Sequence, residues 1–73
     1  MKLNDLCINE NAIISNLNVK DEIRKRLLDI GFVRGSKVTK VLENINMGAY
    51  NVKGSIIAIR KSDTKNIEVT KWE

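Results

Sequence analysis

The sequence predicts a mainly β domain, in which short strands curl into a small barrel and one amphipathic helix packs on an opening of that barrel. Three observations carry the prediction. The chain has only 73 residues, one segment before Gly31 repeats its apolar residues at helical spacing, and the other apolar residues fall into short runs. Several short strands in so few residues bury their apolar side chains best as a curled sheet. Residues 1–73 are therefore interpreted as a single domain.

The clearest local signal is an amphipathic helix, predicted from Asn18 to Ile30. Asn18 is a candidate N-cap, with Asp21 three positions later in capping-box spacing. The apolar residues at helical spacing are Val19, Ile23, Leu27 and Ile30. Gly31 is expected to adopt the left-handed conformation that ends a helix, and Phe32 is expected to contact the last turn.

The remaining segments are predicted to be short strands with one helical turn near the end of the chain. In order they are a strand at 12–17, a strand at 37–43, a loop at 44–48, strands at 49–52 and 55–60, a helical turn at 62–66 and a strand at 67–70. Lys53 and Gly54 are expected to form a tight hairpin turn. In the strand at 37–43, Val38 and Leu42 share one face while Val41 points the other way, so a bulge is expected there.

The composition is that of an ordinary globular domain with a basic surface. Hydrophobic residues make up 42% of the chain and charged residues 30%, which excludes a disordered segment. The chain has 13 Lys and Arg against 9 Asp and Glu, a formal net charge of +4. This charge favours approach to an acidic partner or an anionic surface, but no run of basic residues forms a nucleic-acid-binding tail.

Three further features concern the cellular compartment. Cys7 is the only cysteine, which excludes an internal disulfide and favours a reducing environment. The longest apolar run, Ile56–Ile59, is far too short to span a bilayer, so membrane insertion is not expected. Residues 1–5 lack the apolar core of a signal peptide. The sequence therefore predicts a cytoplasmic protein.

The reactive side chains argue against catalysis. The chain has no histidine, the commonest general base and a frequent transition-metal ligand. Its carboxylates are scattered, and Cys7 has no visible partner, so a half-buried structural thiol is the preferred interpretation. Gly31 and Gly35 follow a helix instead of preceding one, and are therefore turn residues and not a phosphate cradle. No catalytic residue, no metal ligand and no cofactor is predicted.

Two surface features leave alternatives open. Basic residues lie on the helix and on several strands, but Phe32, Tyr50 and Trp72 are not interleaved with them. This favours a solvated charged face over a nucleic-acid site, and no nucleic acid is expected as a partner. Phe32, Val33 and Met47 are apolar residues in predicted loops. They either cap the core or form a rim patch that contacts another protein.

Two blocks of the chain resemble a known family. They are Arg26-Leu27-Leu28-Asp29-Ile30-Gly31-Phe32-Val33-Arg34-Gly35 and the segment 49–69, with Ala49-Tyr50-Asn51-Val52-Lys53-Gly54, Ile57-Ala58-Ile59-Arg60 and Ile67-Glu68-Val69. Both resemble the FeoA family, small cytoplasmic accessory proteins of bacterial ferrous-iron uptake. The resemblance implies an SH3-like barrel with an added helix. It also implies a role in support of FeoB, a membrane transporter that has a GTPase domain.

The chain departs from the family pattern at three places. Arg34 stands where the family usually has proline, so that turn loses rigidity and gains charge. The loop at 44–48 lacks the proline and the Gly-Asp-Pro that are common in the family. A glycine that is usual near the first strand is replaced around Asn9.

The sequence and the resemblance together predict a non-enzymatic accessory protein that docks on FeoB and modulates its GTPase or transport activity. Phe32, Arg34, Met47 and Tyr50 are the predicted partner-binding residues. The protein is expected in the cytoplasm, peripheral to the inner face of the membrane when its partner holds it there. One alternative is a protein that binds a transition metal directly and delivers iron, and another is a nucleic-acid-binding SH3-like barrel. The oligomeric state is left open.

Overall fold

Short strands dominate the fold, which is described for residues 1–72 by a computed structural model. A short 3-10 turn at Leu3–Asp5 precedes the regular elements. In chain order these are β1 (Asn11–Leu17), α1 (Asp21–Asp29), β2 (Lys37–Glu43), β3 (Met47–Val52), β4 (Ser55–Arg60), α2 (Lys61–Thr64) and β5 (Ile67–Lys71). The mainly β architecture with one substantial helix confirms the predicted fold class.

The five strands form one antiparallel sheet in the order β4-β3-β2-β1-β5. β2, β3 and β4 are successive hairpin strands, while β1 pairs with both β2 and β5. Within residues 1–72 no ladder joins the two outer strands, so the predicted barrel is a sheet that stays open. β4 therefore presents an unpaired edge.

One face of the sheet is buried, because buried and accessible residues alternate along most strands. Leu3, Leu6 and Phe32 complete this core from outside the sheet. The buried apolar residues contributed by the strands are Ala12, Ile14, Val38, Tyr50, Val52, Ile59, Ile67 and Val69. The burial of Ile67 and Val69 confirms the inward face predicted for the last strand.

Bulges interrupt the pairing of two strands. The register of β2 against β3 shifts between Lys40 and Leu42, which confirms the bulge expected from the imperfect alternation. A second shift lies between Ile14 and Asn16 in β1, and the sequence analysis does not predict it. Because a bulge bends its strand and increases the local twist, both bulges favour a curved sheet over a flat one.

The N-terminal end of α1 differs from the prediction. The helix begins at Asp21, and its N-cap is Lys20, which makes no side-chain capping hydrogen bond. The predicted start and capping role of Asn18 are therefore wrong. Instead, the backbone N–H of Asn18 donates to the carbonyl oxygen of Asn66 at 2.9 Å. This bond keeps the backbone extended along the line of β1 before α1 begins.

The C-terminal end of α1 follows the prediction. Gly31 has a φ of +89°, and its N–H donates to the carbonyl oxygen of Leu28 at 3.1 Å. The N–H of Phe32 donates to the carbonyl oxygen of Leu27 at 2.9 Å. These two bonds form a Schellman motif, and they carry Phe32 into the core directly after the helix.

Two connections set the geometry of the β2–β3–β4 ribbon. Lys53 and Gly54 have φ values of +51° and +83°, as a two-residue type I′ turn requires, so the predicted hairpin turn is confirmed. The loop before β3 is shorter than predicted. The side-chain oxygen of Asn44 accepts hydrogen bonds from the N–H groups of Asn46 and Met47, each at 2.8 Å. This Asx turn allows β3 to begin at Met47.

Candidate protein-docking site

A groove opens between α1 and the edge strand β4. Its volume is about 730 Å³, within the range of roughly 300–1,000 Å³ that is typical of clefts that hold ligands. Its apolar lining residues are Ile23, Leu27, Ile30, Met47, Ile57, Ala58 and Ile59. We call this feature the α1–β4 groove.

The groove exists because α1 covers only part of the sheet. Leu27 is buried, whereas Ile23 is partly buried and Ile30 is 42% exposed. A surface helix normally turns its apolar stripe onto the core. Here the C-terminal part of the stripe remains in contact with solvent, so the helix leaves apolar surface uncovered.

The rim of the groove carries more positive than negative charge. Arg26 of α1 and Arg60 at the end of β4 line the groove together with a single acid, Asp63. Both arginines are exposed, and neither forms an ion pair with another residue of the described range 1–72. Uncompensated arginines at a rim attract acidic groups and help to orient a partner as it approaches.

A second and more open depression adjoins the groove at the β2–β3 loop. Its volume is about 450 Å³, and it shares Met47 and Arg60 with the groove. Ile45 lines it from the tip of the loop and is 87% exposed. Contiguous exposed apolar surface with a polar rim marks an interaction site. We call the α1–β4 groove and this depression together the docking surface.

An ion-pair chain fixes the end of β2 next to the docking surface. The Glu43 carboxylate oxygens lie 3.1 Å from Lys40 Nζ and 3.0 Å from Lys61 Nζ. Lys40 is fully buried, and its ammonium group also donates to the carbonyl oxygen of Leu6 at 2.9 Å. The ammonium groups of Lys61 and Lys40 hold the pKa of the Glu43 carboxyl below its ordinary value. These ion pairs connect β2 to α2 and so stabilise the loop that carries Ile45.

The structure separates the four predicted partner-binding residues. Phe32 and Tyr50 are fully buried in the core, so their side chains do not reach a partner in this conformation; aromatic residues beside turns fill the core here. Arg34 is exposed in the turn after α1 but does not line the groove. Met47 lines both parts of the docking surface. Contact of Met47 or Arg34 with a partner stays a prediction.

The sequence analysis did not identify Arg26, Ile30, Ile57 and Arg60 as residues of the candidate site. One signal was available in the run Ile56–Ile59, which is apolar throughout. A strand with one buried face alternates apolar and polar residues, so an unbroken apolar run at an edge leaves apolar side chains exposed. Ile56 is accordingly 66% exposed.

The described residues hold neither a cluster of metal ligands nor a membrane-spanning helix. In residues 1–72, no three Cys, Asp or Glu side chains come together in a group that could hold a metal ion. Cys7 is exposed with a free thiol, so its predicted half-buried position is wrong. No helix in this range is long and apolar enough to cross a bilayer.

An open, bulged antiparallel sheet with one packed helix defines a small domain of the SH3-like type. A family model described as the FeoA domain matches residues 1–71. A Campylobacter jejuni protein with the provisional name Fe(2+) transport protein A is 34% identical over 71 residues, which cover 94% of this chain and 96% of that protein. The chain belongs to the FeoA family.

Solved structures of FeoA proteins share this fold. The solution structure of FeoA from Chlorobium tepidum matches with a TM-score of 0.95 at 25% identity, covering 100% of this chain and 71% of that chain. The crystal structure of Stenotrophomonas maltophilia FeoA complexed with zinc matches with a TM-score of 0.82 at 27% identity, covering 94% and 88% of the two chains. That protein is described as an SH3 domain protein and a candidate activating factor of bacterial ferrous iron transport. The predicted SH3-like fold is confirmed, and the family is one of accessory proteins of ferrous-iron transport.

Proposed function

We propose that this chain is a non-enzymatic accessory protein that docks on the cytoplasmic portion of a FeoB-type membrane GTPase. Through this contact it modulates GTP hydrolysis or iron transport by FeoB. The observation that carries the proposal is the α1–β4 groove, which combines uncovered apolar surface with two arginines unpaired within residues 1–72. Membership of the FeoA family supports ferrous-iron uptake as the process.

The composition of the groove supports docking for a physical reason. A few well-packed residues near the centre of an interface supply most of the binding free energy once water is excluded from them. Ile30 and Ile57 line the groove and are exposed or partly exposed, and Arg26 and Arg60 line it beside them. Rim charges mainly steer the encounter and fix the orientation of the partner. The proposed location is the cytoplasmic side of the membrane, at the GTPase domain of FeoB.

A calorimetric titration of the protein with the isolated cytoplasmic portion of FeoB tests docking. Ile30→Gln removes an apolar contact from the groove. Leu28→Gln is the matched control, because Leu28 is also 42% exposed on α1 but does not line the groove. We expect Ile30→Gln to weaken binding about tenfold and Leu28→Gln to change it by less than about twofold.

Two outcomes of this titration contradict the proposal. They are the absence of binding by the unmodified protein, and an equal loss of affinity in both variants. The rate of GTP hydrolysis by FeoB, measured in the same mixtures, tests modulation separately. An unchanged rate at saturating protein would contradict modulation of GTP hydrolysis.

Direct delivery of metal is the second candidate function. The observation in its favour is the zinc complex of Stenotrophomonas maltophilia FeoA. In the described part of this chain the carboxylates and Cys7 do not assemble into a metal-binding group. An anaerobic Fe²⁺ titration followed by amide NMR distinguishes the two functions. Changes in amide chemical shift or line width that are localised around one set of carboxylates would support metal binding. Uniformly small changes on addition of Fe²⁺ would exclude it.

A further inference from the structure

β4 has one edge that pairs with β3 and one edge to which no other strand bonds in residues 1–72. The type I′ turn closes on the pair Val52↔Ser55, which is a hydrogen-bonded pair in a two-residue hairpin. Along an antiparallel ladder, hydrogen-bonded and non-hydrogen-bonded pairs alternate. This alternation decides which backbone groups of β4 face the open side.

In this register, the backbone N–H and C=O groups of every second residue of β4 face the open side of the strand. Ile57 and Ile59 pair with Tyr50 and Gly48 at hydrogen-bonded positions, so their N–H and C=O groups are used by β3. Ile56, Ala58 and Arg60 occupy the intervening positions, and their N–H and C=O groups point away from β3. The edge therefore offers unpaired donors and acceptors at regular spacing.

This edge lacks the features that usually protect an edge strand. Such strands carry lysine, proline or inward-pointing charges, or are bent by bulges. β4 pairs with β3 in unbroken register, and its middle is the apolar run Ile56–Ile59. The opposite edge strand, β5, is partly covered by the N-terminal residues. The backbone of Lys2 pairs with that of Glu68 in an isolated antiparallel β-bridge, and the N–H of Val69 donates to the carbonyl oxygen of Met1. Among residues 1–72, the edge of β4 is therefore less protected than the edge of β5.

The open edge of β4 faces the α1–β4 groove. Ala58 and Arg60 line the groove, although their side chains alternate with those of Ile57 and Ile59 and so belong to the other face of the sheet. The outward N–H and C=O groups of these two residues lie along the edge of β4 that borders the groove. The opposite wall is the apolar face of α1. An open strand edge opposite an apolar wall is suited to binding an extended peptide by strand addition, in which main-chain bonds give affinity and alternate side chains give specificity.

We infer that β4 accepts an extended segment of a partner protein, rich in acidic and apolar residues, as an additional strand between β4 and α1. The inference rests on the proposed docking function and specifies how the partner binds. β4 has 6 residues, which matches the usual strand length of about 5–6. Alternate apolar side chains of the segment pack against Ile30 and Ile57, and an acidic side chain pairs with Arg26 or Arg60.

Charge decides between a partner segment and a second copy of the chain. Each copy carries a net charge of +4 and the same two rim arginines. Two copies joined through β4 would therefore repel each other, whereas an acidic segment gains Coulomb attraction at the same site. The partner segment is the occupant that the charge distribution favours.

Amide hydrogen exchange in the complex with the cytoplasmic portion of FeoB tests the inference. Strand addition is expected to slow exchange at Ile56, Ala58 and Arg60 by at least about tenfold, while Ile57 and Ile59 are protected with or without the partner. A complex that forms without added protection at these three amides overturns strand addition and leaves docking intact. Failure to form any complex contradicts the proposed function itself. A dimer of this chain with the same three amides protected would assign the edge to self-association and overturn the inference.

Ala58→Pro is the matching variant. Proline removes the outward N–H of residue 58 without removing a bond to β3, a position at which edge strands tolerate proline. Ala58→Val keeps the N–H and is the control. We expect Ala58→Pro to weaken binding about tenfold or more and Ala58→Val to bind as the unmodified protein does. Equal binding by both variants overturns the inference, and if Ala58→Pro loses its folded amide NMR spectrum, the exchange pattern of the unmodified protein decides.

Discussion

The aromatic ring of Tyr50 lies against the backbone of Gly48, two residues earlier on the same face of β3. A Cβ atom at Gly48 would lie 2.6 Å from the Tyr50 hydroxyl oxygen and 2.9 Å from two carbons of the ring. Favourable contacts between carbon atoms occur at about 3.5–4.0 Å, so only glycine leaves room for the ring here. Aromatic cover of a strand glycine also helps to fix the register of a curved sheet.

Gly48→Ala is therefore expected to destabilise the fold. The added methyl group collides with Tyr50, whose side chain is fully buried. Overpacking of this kind costs about 1–3 kcal/mol, and urea denaturation measures it. Asn51→Ala, at an exposed position of β3, is the control. A change of less than about 0.5 kcal/mol for Gly48→Ala, the usual range for surface substitutions, would contradict the packing described here.

Tyr50→Phe is expected to be neutral, or to stabilise the protein by up to about 1 kcal/mol. The Tyr50 hydroxyl is buried and has no hydrogen-bond partner within the described residues. Burial raises the pKa of Tyr50 to about 12, although the nearby Thr64 hydroxyl opposes that shift. Removal of the hydroxyl therefore relieves a desolvated polar group.

The same substitution tests the contact with Gly48. In a double-mutant cycle measured by urea denaturation, Gly48→Ala should cost less in the Tyr50→Phe background than in the unmodified protein. Two ring carbons remain within 2.9 Å of the added Cβ, so the relief is partial. Strict additivity of the two substitutions would contradict the contact between the hydroxyl and the added Cβ. A loss above about 1 kcal/mol for Tyr50→Phe alone would show that the hydroxyl makes a hydrogen bond.

Glu43→Gln is expected to destabilise the protein more than Lys40→Met. The first change leaves the fully buried Lys40 ammonium without its counter-ion, whereas the second fills the same space with an apolar chain. A buried charge that loses its partner is strongly destabilising. Lys40→Met leaves only Glu43 behind, whose side chain is partly exposed and still paired with Lys61, so this variant should stay within about 1 kcal/mol of the unmodified protein. Unfolding free energies in urea give the order, and the reverse order would contradict this account.

Acid is expected to lower stability through two carboxylates. Lys61 and Lys40 hold the pKa of Glu43 below the ordinary 4.5, and Lys2 holds that of Glu68 below the same value. A carboxyl whose pKa is lowered by folding contributes stability above its unfolded pKa and loses it as the pH falls through the folded pKa. Urea midpoints should therefore decrease once the pH falls below about 4.5. In the double variant Glu43→Gln, Glu68→Gln, the urea midpoint should decrease less steeply as the pH falls below about 4.5. An equally steep decrease would exclude these two carboxylates as the source of the acid sensitivity.

The elements that were predicted correctly are those that short segments determine. The Schellman end of α1 depends on Gly31 and Phe32, and the hairpin turn depends on Lys53 and Gly54, all neighbours in the sequence. The bulge in β2 was visible as a break in alternation. The start of α1 was missed because Asn18 bonds to Asn66, a contact between residues far apart in the chain.

The candidate site was largely missed because it is a space between elements. Ile30 belongs to a normal apolar stripe, yet it is exposed and lines the groove between α1 and β4. Lys40 is one of the basic strand residues for which a solvated face was predicted, yet it is fully buried, with Glu43 as its counter-ion and the Leu6 carbonyl oxygen as an acceptor. Burial of a charge depends on partners that the local pattern does not reveal, so neither residue could be assigned from its own segment.

Arg60→Gln and Arg34→Gln are expected to separate the groove from the turn that follows α1. Both arginines are exposed, but only Arg60 lines the groove. Binding to the cytoplasmic portion of FeoB should weaken about three- to tenfold for Arg60→Gln and remain within about twofold for Arg34→Gln. Because an exposed arginine acts through screened electrostatics, the effect of Arg60→Gln should shrink as the salt concentration rises toward about 1 M. Titrations at two salt concentrations measure both properties, and a larger loss for Arg34→Gln would place the partner on the turn and not in the groove.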